Sequence, residues 1–184
     1  INATMVLQIF ESYYLVGEVT MLSLEYWDKA AEFHGHKCPG LAIGFKAVEG
    51  AIDQLGLSAD AFPAIDEELV CVTENDACCD DAIQVLLSCT YGKSNLIPRL
   101  RGKMAFSFYS RTTGKSARLV LKPNLGEGKS REEYMNFLVN TPYDQLFEVK
   151  SAAALPEQAR LFDSQLCSVC GESTAEYGLR IQKG

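Results

Sequence analysis

The segment from Phe33 to Gly40 constrains this chain more than any other part of its sequence. It contains the protein's two histidines, His34 and His36, together with Cys38, and it ends in a Pro-Gly pair. Imidazole and thiolate side chains bind borderline-soft divalent metals such as zinc, nickel and cobalt. We therefore predict one metal site in this segment. The alternative is a loop in which the two histidines form only local hydrogen bonds.

Helical periodicity is present on both sides of this segment. Apolar residues recur at helical spacing from Leu24 to Phe33, with Ser23 as the predicted N-cap, and again from Leu41 to Leu55, with Gly56 as the stop signal. The metal-ligand segment therefore lies directly at the N-terminus of the second helix. The free N–H groups and the helix dipole at this position favour a thiolate at Cys38 and can hold an anion.

A second junction, between a strand and a helix, carries the same residue types. The apolar run from Glu68 to Thr73 predicts a buried strand, and residues 82–87 supply the apolar face of a following helix. Cys78 and Asp81 lie between the two, and the carboxylate suits the first turn of a helix. We expect this junction to face the histidine segment across a cleft, with Cys38 and Cys78 close together.

The rest of the core combines strands with one further helix. We predict a β-hairpin from residues 103–110 and 117–121, a helix beginning at Ser130, and a strand or short helix over residues 143–149. Residues 89–96 contain Gly-Lys-Ser without the upstream glycine of a P-loop, which argues against a nucleotide site. The pattern predicts an α+β fold, with helices packed on a mainly antiparallel sheet.

A separate cysteine pair lies near the C-terminus. Cys167 and Cys170 form a Cys-x-x-Cys-Gly knuckle, and we expect residues 175–181 to form a small hairpin behind it. This pattern is typical of half a zinc finger, because four-coordinate zinc needs two more ligands. Those ligands would come from residues beyond Gly184 or from a second chain, unless the finger stays empty. A redox role is disfavoured because the thioredoxin-like strand–helix context is missing.

Composition limits the function classes. The chain has 184 residues, of which 47% are apolar, and a net charge of −7, which disfavours binding to nucleic acid or anionic membranes. It has no membrane-spanning run and no signal-peptide pattern, so we expect a cytoplasmic protein. Seven cysteines in a chain of this size predict reduced thiols rather than a disulfide framework. We predict an N-terminal extension or leader (1–23), the core (24–150), a connector (151–166) and a partial zinc finger (167–184).

Two motifs in the core resemble the FmdE family, which is named for a component of molybdenum or tungsten formylmethanofuran dehydrogenase. The matching residues are His34-Gly35-His36-Lys37-Cys38-Pro39-Gly40, Cys78, Asp81-Ala82-Ile83-Gln84, Cys89-Thr90 and Gly92-Lys93-Ser94-Asn95-Leu96. The resemblance covers roughly residues 24–150, and the C-terminal knuckle resembles the treble-clef zinc finger that many members carry. The chain departs from the family pattern at Ser88, where glycine is usual.

The resemblance implies an α+β core that forms a homodimer and holds a metal in a cleft. Zinc is the implied metal, with nickel or another divalent transition metal as the alternative. The implied site residues are the core ligands His34, His36, Cys38 and Cys78, the finger ligands Cys167 and Cys170, and, as groups that orient ligands or contact a substrate, Asp81, Lys93 and Lys115.

Three functions are open at this point. The first is an accessory role in molybdenum or tungsten formylmethanofuran dehydrogenase-type metabolism, as a carrier or assembly factor with such an enzyme as its partner. The second is a metalloenzyme that binds water or a small substrate at an open coordination position. The third is a regulator whose finger binds protein or nucleic acid, which the acidic charge disfavours. A metal enclosed entirely by protein ligands would exclude the second.

Overall fold

The computed structural model describes residues 13–16, 19–58 and 62–180, with the backbone alone described for 13–16, 19 and 20. The helices of this part are α1 (Leu24–His34), α2 (Pro39–Leu55), α3 (Cys79–Leu87), α4 (Arg131–Asn140) and α5 (Tyr143–Leu146). The strands are β1 (Tyr13–Val16), β2 (Val19–Leu22), β3 (Leu69–Thr73), β4 (Leu96–Pro98), β5 (Ala105–Ser110), β6 (Ser116–Leu121), β7 (Phe147–Lys150), β8 (Ser164–Leu166) and β9 (Ser173–Ala175).

One five-stranded sheet, in the order β4-β3-β5-β6-β7, organises the core. Strands β3 and β4 are parallel, and every other neighbouring pair in this sheet is antiparallel. The predicted α+β fold with a mainly antiparallel sheet is confirmed. Strands β1 and β2 form one separate hairpin, and β8 and β9 form another. In the described part of the chain, no helix is long and apolar enough to cross a membrane.

The two faces of the sheet differ in what covers them. Alternation along the strands turns one set of side chains towards the helices, which we call the inner face. These side chains join the main core and include Leu69, Cys71, Phe106, Phe108, Leu119 and Phe147. The opposite, outer face carries a smaller apolar cluster of Val70, Val72 and Tyr109, against which Ile97 and Ala152 pack.

Helix α2 lies at the centre of the protein. It begins two residues earlier than predicted, because Pro39 suits the first helical turn and the Sγ of Cys38 accepts a hydrogen bond from the N–H of Leu41 at 3.3 Å. It ends at Gly56, in the left-handed region with φ +61°, as predicted. Helix α2 is buried on nearly all sides, including the charged residues Lys46 and Glu49.

Helix α3 contacts α2 backbone to backbone. A methyl group added at Gly44 would lie 2.2 Å from the carbonyl oxygen of Cys79, so only glycine fits at this crossing. Helix α3 ends at Ser88, whose φ of +57° lies in the left-handed region. Glycine adopts this conformation without a steric penalty, which explains why a glycine would be favoured at position 88.

Three local predictions require correction. Ser23 is at the N-cap position of α1, but its side chain forms no cap hydrogen bond, and its carbonyl accepts from the N–H of Tyr26. The segment 143–149 forms a helix followed by a strand, rather than one or the other. No hairpin forms over the described residues 175–180, because β9 pairs with β8 on the other side of the cysteine knuckle. Residue 181 lies outside the described residues.

Other predictions are confirmed. The hairpin of β5 and β6 is antiparallel, and Ser130 caps α4 in a reciprocal capping box with Glu133. Much of the predicted extension (residues 1–12, 17 and 18) lies outside the described residues. Leu22, near its end, is buried in the main core, and its N–H donates to Glu49. The division into four segments stays a prediction.

Candidate metal centre

Three ligand atoms converge where α1, α2 and α3 meet. His34, Cys38 and Cys78 each offer one atom, and the three atoms lie within 4.8 Å of one another. The Nε2 atom of His34 lies 3.8 Å from the Sγ atom of Cys38. The predicted proximity of Cys38 and Cys78 is thereby confirmed.

The local backbone explains why these three side chains meet. Helix α1 ends after His34 because Gly35 adopts φ +91°, and the chain then returns to place Cys38 at the start of α2. Gly40 lies in the first turn of α2, against Cys78, where an added methyl group would lie 3.1 Å from the Cβ of that cysteine. The absence of a side chain at Gly40 therefore allows the two cysteine-bearing segments to approach.

Asp81 orients the histidine of this group. Its Oδ2 atom lies 2.7 Å from Nδ1 of His34, and its Oδ1 atom accepts a hydrogen bond from Gln84 at 3.2 Å. A carboxylate on Nδ1 keeps that nitrogen protonated and leaves Nε2, on the side of Cys38, as the ligand atom. The sequence predicted Asp81 near the site but not its hydrogen bond to His34. It gave no role to Gln84, although residues three apart on a helix, such as Asp81 and Gln84, are neighbours.

The donor set and the distance between His34 and Cys38 fit zinc. A tetrahedral ion at ordinary zinc–sulfur and zinc–nitrogen distances separates its ligand atoms by about 3.5–3.8 Å, which matches the His34–Cys38 distance of 3.8 Å. Burial, followed by the neighbouring Cys38 thiol, raises the pKa of Cys78. A metal must therefore displace a proton from the Cys78 thiol, which makes its affinity higher at higher pH. A tetrahedral ion held by these three side chains would keep one further position for another group.

His36 lies beside this group but is not part of it. Its ring centroid is 4.5 Å from that of His34, and its side chain is exposed. Among the described residues, the set of three mutually close ligand atoms includes His34, Cys38 and Cys78 alone. His36 as a ligand stays a prediction.

Lys93 lies at the C-terminal end of α3, and Lys115 lies at the C-terminal end of α2. The Nζ of Lys93 donates to the backbone oxygens of Ala64 and Asp66 and to the hydroxyl of Ser88. The Nζ of Lys115 lies beside Gly56, after the last turn of α2. Helix α2 has 17 residues and is about 25 Å long, which separates Lys115 from the three ligand atoms. Lys93 is separated from Cys78 by the nine residues of α3, so the structure places neither lysine among the ligand atoms.

The C-terminal cysteines form a separate two-thiol knuckle. The N–H of Cys167 donates to the oxygen of Glu172, and the N–H of Gly171 donates back to the oxygen of Cys167. Backbone N–H groups of Cys170 and Val169 lower the pKa of the Cys167 thiol. This favours a thiolate, the form that binds zinc. Within the residues that the structure describes, no third ligand atom groups with Cys167 and Cys170.

A family comparison decides how the chain is classified. The family model described as "FmdE, Molybdenum formylmethanofuran dehydrogenase operon" matches residues 33–160. The chain belongs to the FmdE family. The match includes His34, Cys38 and Cys78 and stops before the cysteine knuckle.

Two relatives place this FmdE protein among known proteins. A probable S-adenosyl-L-methionine-binding protein of Archaeoglobus fulgidus is 27% identical over 172 residues, covering 78% of this chain and 47% of that protein. The chain thus spans about half the length of the curated relative it matches. A crystal structure of a tungsten formylmethanofuran dehydrogenase FmdE-like protein from Syntrophus aciditrophicus superposes with a TM-score of 0.63 at 24% identity, covering 83% of this chain and 85% of that one. This likeness shows a shared fold.

Proposed function

We propose that this FmdE protein binds a divalent transition metal, preferably zinc, through His34, Cys38 and Cys78. The observation that carries the proposal is the convergence of the three ligand atoms within 4.8 Å, with Asp81 fixing the histidine. Two thiols and an imidazole favour zinc over magnesium or calcium, which prefer oxygen ligands. Nickel and cobalt share the donor preference and are the alternatives.

The accessory role is our preferred function. In it, the protein carries a metal or metal-containing cofactor for molybdenum or tungsten formylmethanofuran dehydrogenase-type metabolism. The three-ligand site supports this role, since its fourth position can accept a ligand from a partner protein. The exposed imidazole of His36 beside His34 could assist such an exchange. The name of the family refers to the operon of that dehydrogenase, which points to the same partner class.

A metalloenzyme is the second candidate, favoured by the same fourth position. Zinc with three protein ligands would supply a Lewis acid or an activated water at neutral pH. Among this chain's own residues, Asp81 holds the proton on Nδ1 of His34, and Cys38 is held in place by the N–H of Leu41. These contacts fix the ligands in either function.

Location and assembly belong to the same proposal. We place the protein in the cytoplasm, because all seven cysteines are free thiols, as expected in a reducing compartment. We propose a homodimer, in which Cys167 and Cys170 are half of a second zinc site completed by ligands from elsewhere. Sedimentation measured with and without zinc tests this assembly.

Substitutions at the core centre should reduce metal affinity in a graded way. Cys38→Ser should weaken zinc or cobalt binding by at least about a hundredfold, and Asp81→Asn by about tenfold to a hundredfold through His34. The measurement is a competition titration with a chromophoric chelator, in a chain whose Cys167 and Cys170 are replaced by serine to remove finger binding.

Lys37→Ala is the matched control in the same loop, since its ammonium pairs with Asp28 rather than with a ligand. We expect its zinc affinity to be unchanged. Equal affinity in Cys38→Ser and the parent chain would refute the centre. A loss in His36→Ala as large as in Cys38→Ser would instead make His36 the fourth protein ligand and argue against both an open position and the enzyme.

Metal transfer distinguishes the accessory role from the enzyme. Labelled zinc on this protein should reach a metal-depleted molybdenum or tungsten formylmethanofuran dehydrogenase faster than it is released into buffer containing a chelator. Carrier function requires acceleration by the recipient, because the ligand exchange then occurs within a complex. Transfer at the spontaneous release rate would contradict the accessory role while leaving metal binding itself intact.

A further inference from the structure

A cavity lies on the outer face of the sheet, away from the helices and the metal centre. It has a volume of about 320 Å³, which is in the range of small-molecule sites. Its floor is formed by strands β3, β5 and β6, and residues 151–153 of the connector pass over one side. Its polar lining residues are Glu74, Arg99, Arg101, Ser107, Tyr109, Arg118 and Ser151.

Two arginines of this cavity have no ionic partner of their own. Arg118 donates to Glu74 at 2.7 Å, whereas the guanidinium groups of Arg99 and Arg101 form no hydrogen bond or ion pair with any described residue. The lining thus carries three guanidinium groups, those of Arg99 and Arg101 on exposed residues, and one carboxylate, while Glu148 acts on Arg118 from the neighbouring strand. This is unusual in a chain with a net charge of −7, and arginine forks match phosphate oxygens in pairs.

Glu74 adds a second requirement on the occupant. Its side chain is 6% exposed, and its Oε2 atom is buried without a hydrogen-bond partner in the described structure, while Oε1 binds Arg118. A buried carboxylate oxygen without a donor is unfavourable. Arg118 and, less strongly, Arg101 lower the pKa of Glu74, so this oxygen stays an acceptor at neutral pH. An occupant with a donor group would satisfy it.

We propose that this cavity binds a small phosphate monoester that carries an amino group. The phosphate, with a charge of about −1.5 to −2 at neutral pH, would pair with Arg99 and Arg101. The amino group would donate to Oε2 of Glu74. Val72 and Ala152 provide an apolar wall for the carbon chain between the two groups. The site is independent of the proposed metal function.

Calorimetric titration of the full chain with 3-aminopropyl phosphate tests this site. We expect one saturable site per chain, and propyl phosphate should bind several-fold more weakly because it cannot donate to Glu74. Arg101→Gln should weaken binding by about tenfold to a hundredfold, the value of a charge-assisted hydrogen bond. Arg131→Gln, which removes the same charge from exposed α4, is the matched control and should bind as the parent does.

Several outcomes would overturn the proposal. These are the absence of saturable binding, an equal loss in Arg131→Gln and Arg101→Gln, or equal affinity for the two phosphates. Binding that is lost in Cys38→Ser but retained in Arg101→Gln would place the phosphate at the metal centre and also refute the cavity. Circular dichroism confirms folding of each variant, and Arg99→Gln is the second variant if Arg101→Gln does not fold.

Discussion

Replacement of Lys46 by methionine is expected to lower the free energy of unfolding by about 3–5 kcal/mol. The side chains of Lys46 and Glu49 are 0% and 1% exposed, and their charged groups lie 2.7 Å apart. Glu49 also accepts hydrogen bonds from the N–H groups of Leu22 and Tyr143. Methionine fills a similar volume, so the main effect is to leave the buried carboxylate without its counter-charge.

The stability lost in Lys46→Met should increase with pH. Burial raises the pKa of Glu49, whereas Lys46 opposes that shift, so removing the lysine raises the pKa further. When a carboxyl group has a higher pKa in the folded than in the unfolded state, the protein loses stability as pH rises through the folded-state pKa. The Lys46→Met variant should therefore lie closest to the parent in acid and furthest from it above neutrality. Urea unfolding at several pH values measures this difference.

An exposed ion pair supplies the control. Lys150 and Glu148 are 45% and 60% exposed, so Lys150→Met should cost less than about 1 kcal/mol. The double variant Lys46→Met/Glu49→Gln should recover part of the loss, because glutamine removes the charge yet retains one carbonyl acceptor. A loss in Lys46→Met no larger than that in Lys150→Met, with no change with pH, would contradict the assigned role of this pair.

The buried pair also shows where sequence reasoning stops. Apolar spacing predicted helix α2 correctly, because burial of a helical face is a local and periodic signal. It could not predict that Lys46 and Glu49 are buried as well. Their burial depends on which elements cover α2 from the far side, including the segment around Leu22, and charged residues are ordinarily exposed. The outer-face cavity could not be predicted for the same reason, because its arginines come from separate strands and loops.

The metal centre was more predictable than its surroundings. The spacing of His34, His36 and Cys38 in one short segment is chemical information that needs no tertiary contact, and the strand–helix junction before Asp81 indicated Cys78. The structure groups three of these four residues and leaves His36 beside them. The hydrogen bond from His34 to Asp81 depends on how α1 and α3 pack, which no local pattern specifies. The strands around the cysteine knuckle were missed because they are three residues long and largely exposed.

Gly44→Ala should destabilise the protein and weaken its metal centre together. Alanine is about 1 kcal/mol better than glycine within a helix, so propensity alone predicts stabilisation. The added methyl group would lie 2.2 Å from the oxygen and 2.7 Å from the Cα of Cys79. Both are backbone atoms, so no side-chain rotation relieves the clash, and α2 and α3 must separate. Overpacking of this kind costs about 1–3 kcal/mol.

The separation of α2 and α3 should also displace the proposed metal ligands. Cys78 immediately precedes α3, and Asp81 lies in its first turn, whereas Cys38 immediately precedes α2. A shift between the two helices therefore moves Cys78 away from Cys38 and Asp81 away from His34, and zinc affinity should fall by at least about tenfold, as for loss of a supporting contact. Chelator competition measures this affinity, and urea unfolding measures the stability of the metal-free chain.

Gly92→Ala is the matched control, because no atom lies within 4 Å of the added methyl group. Its stability should remain within about 0.5 kcal/mol of the parent value, with unchanged zinc affinity. A Gly44→Ala variant that loses stability yet binds zinc as the parent does would show that α2–α3 packing does not position Cys78. The position of Cys78 would then depend on the segment between Thr73 and Cys78, where the N–H of Ala77 donates to the side chain of Asn75.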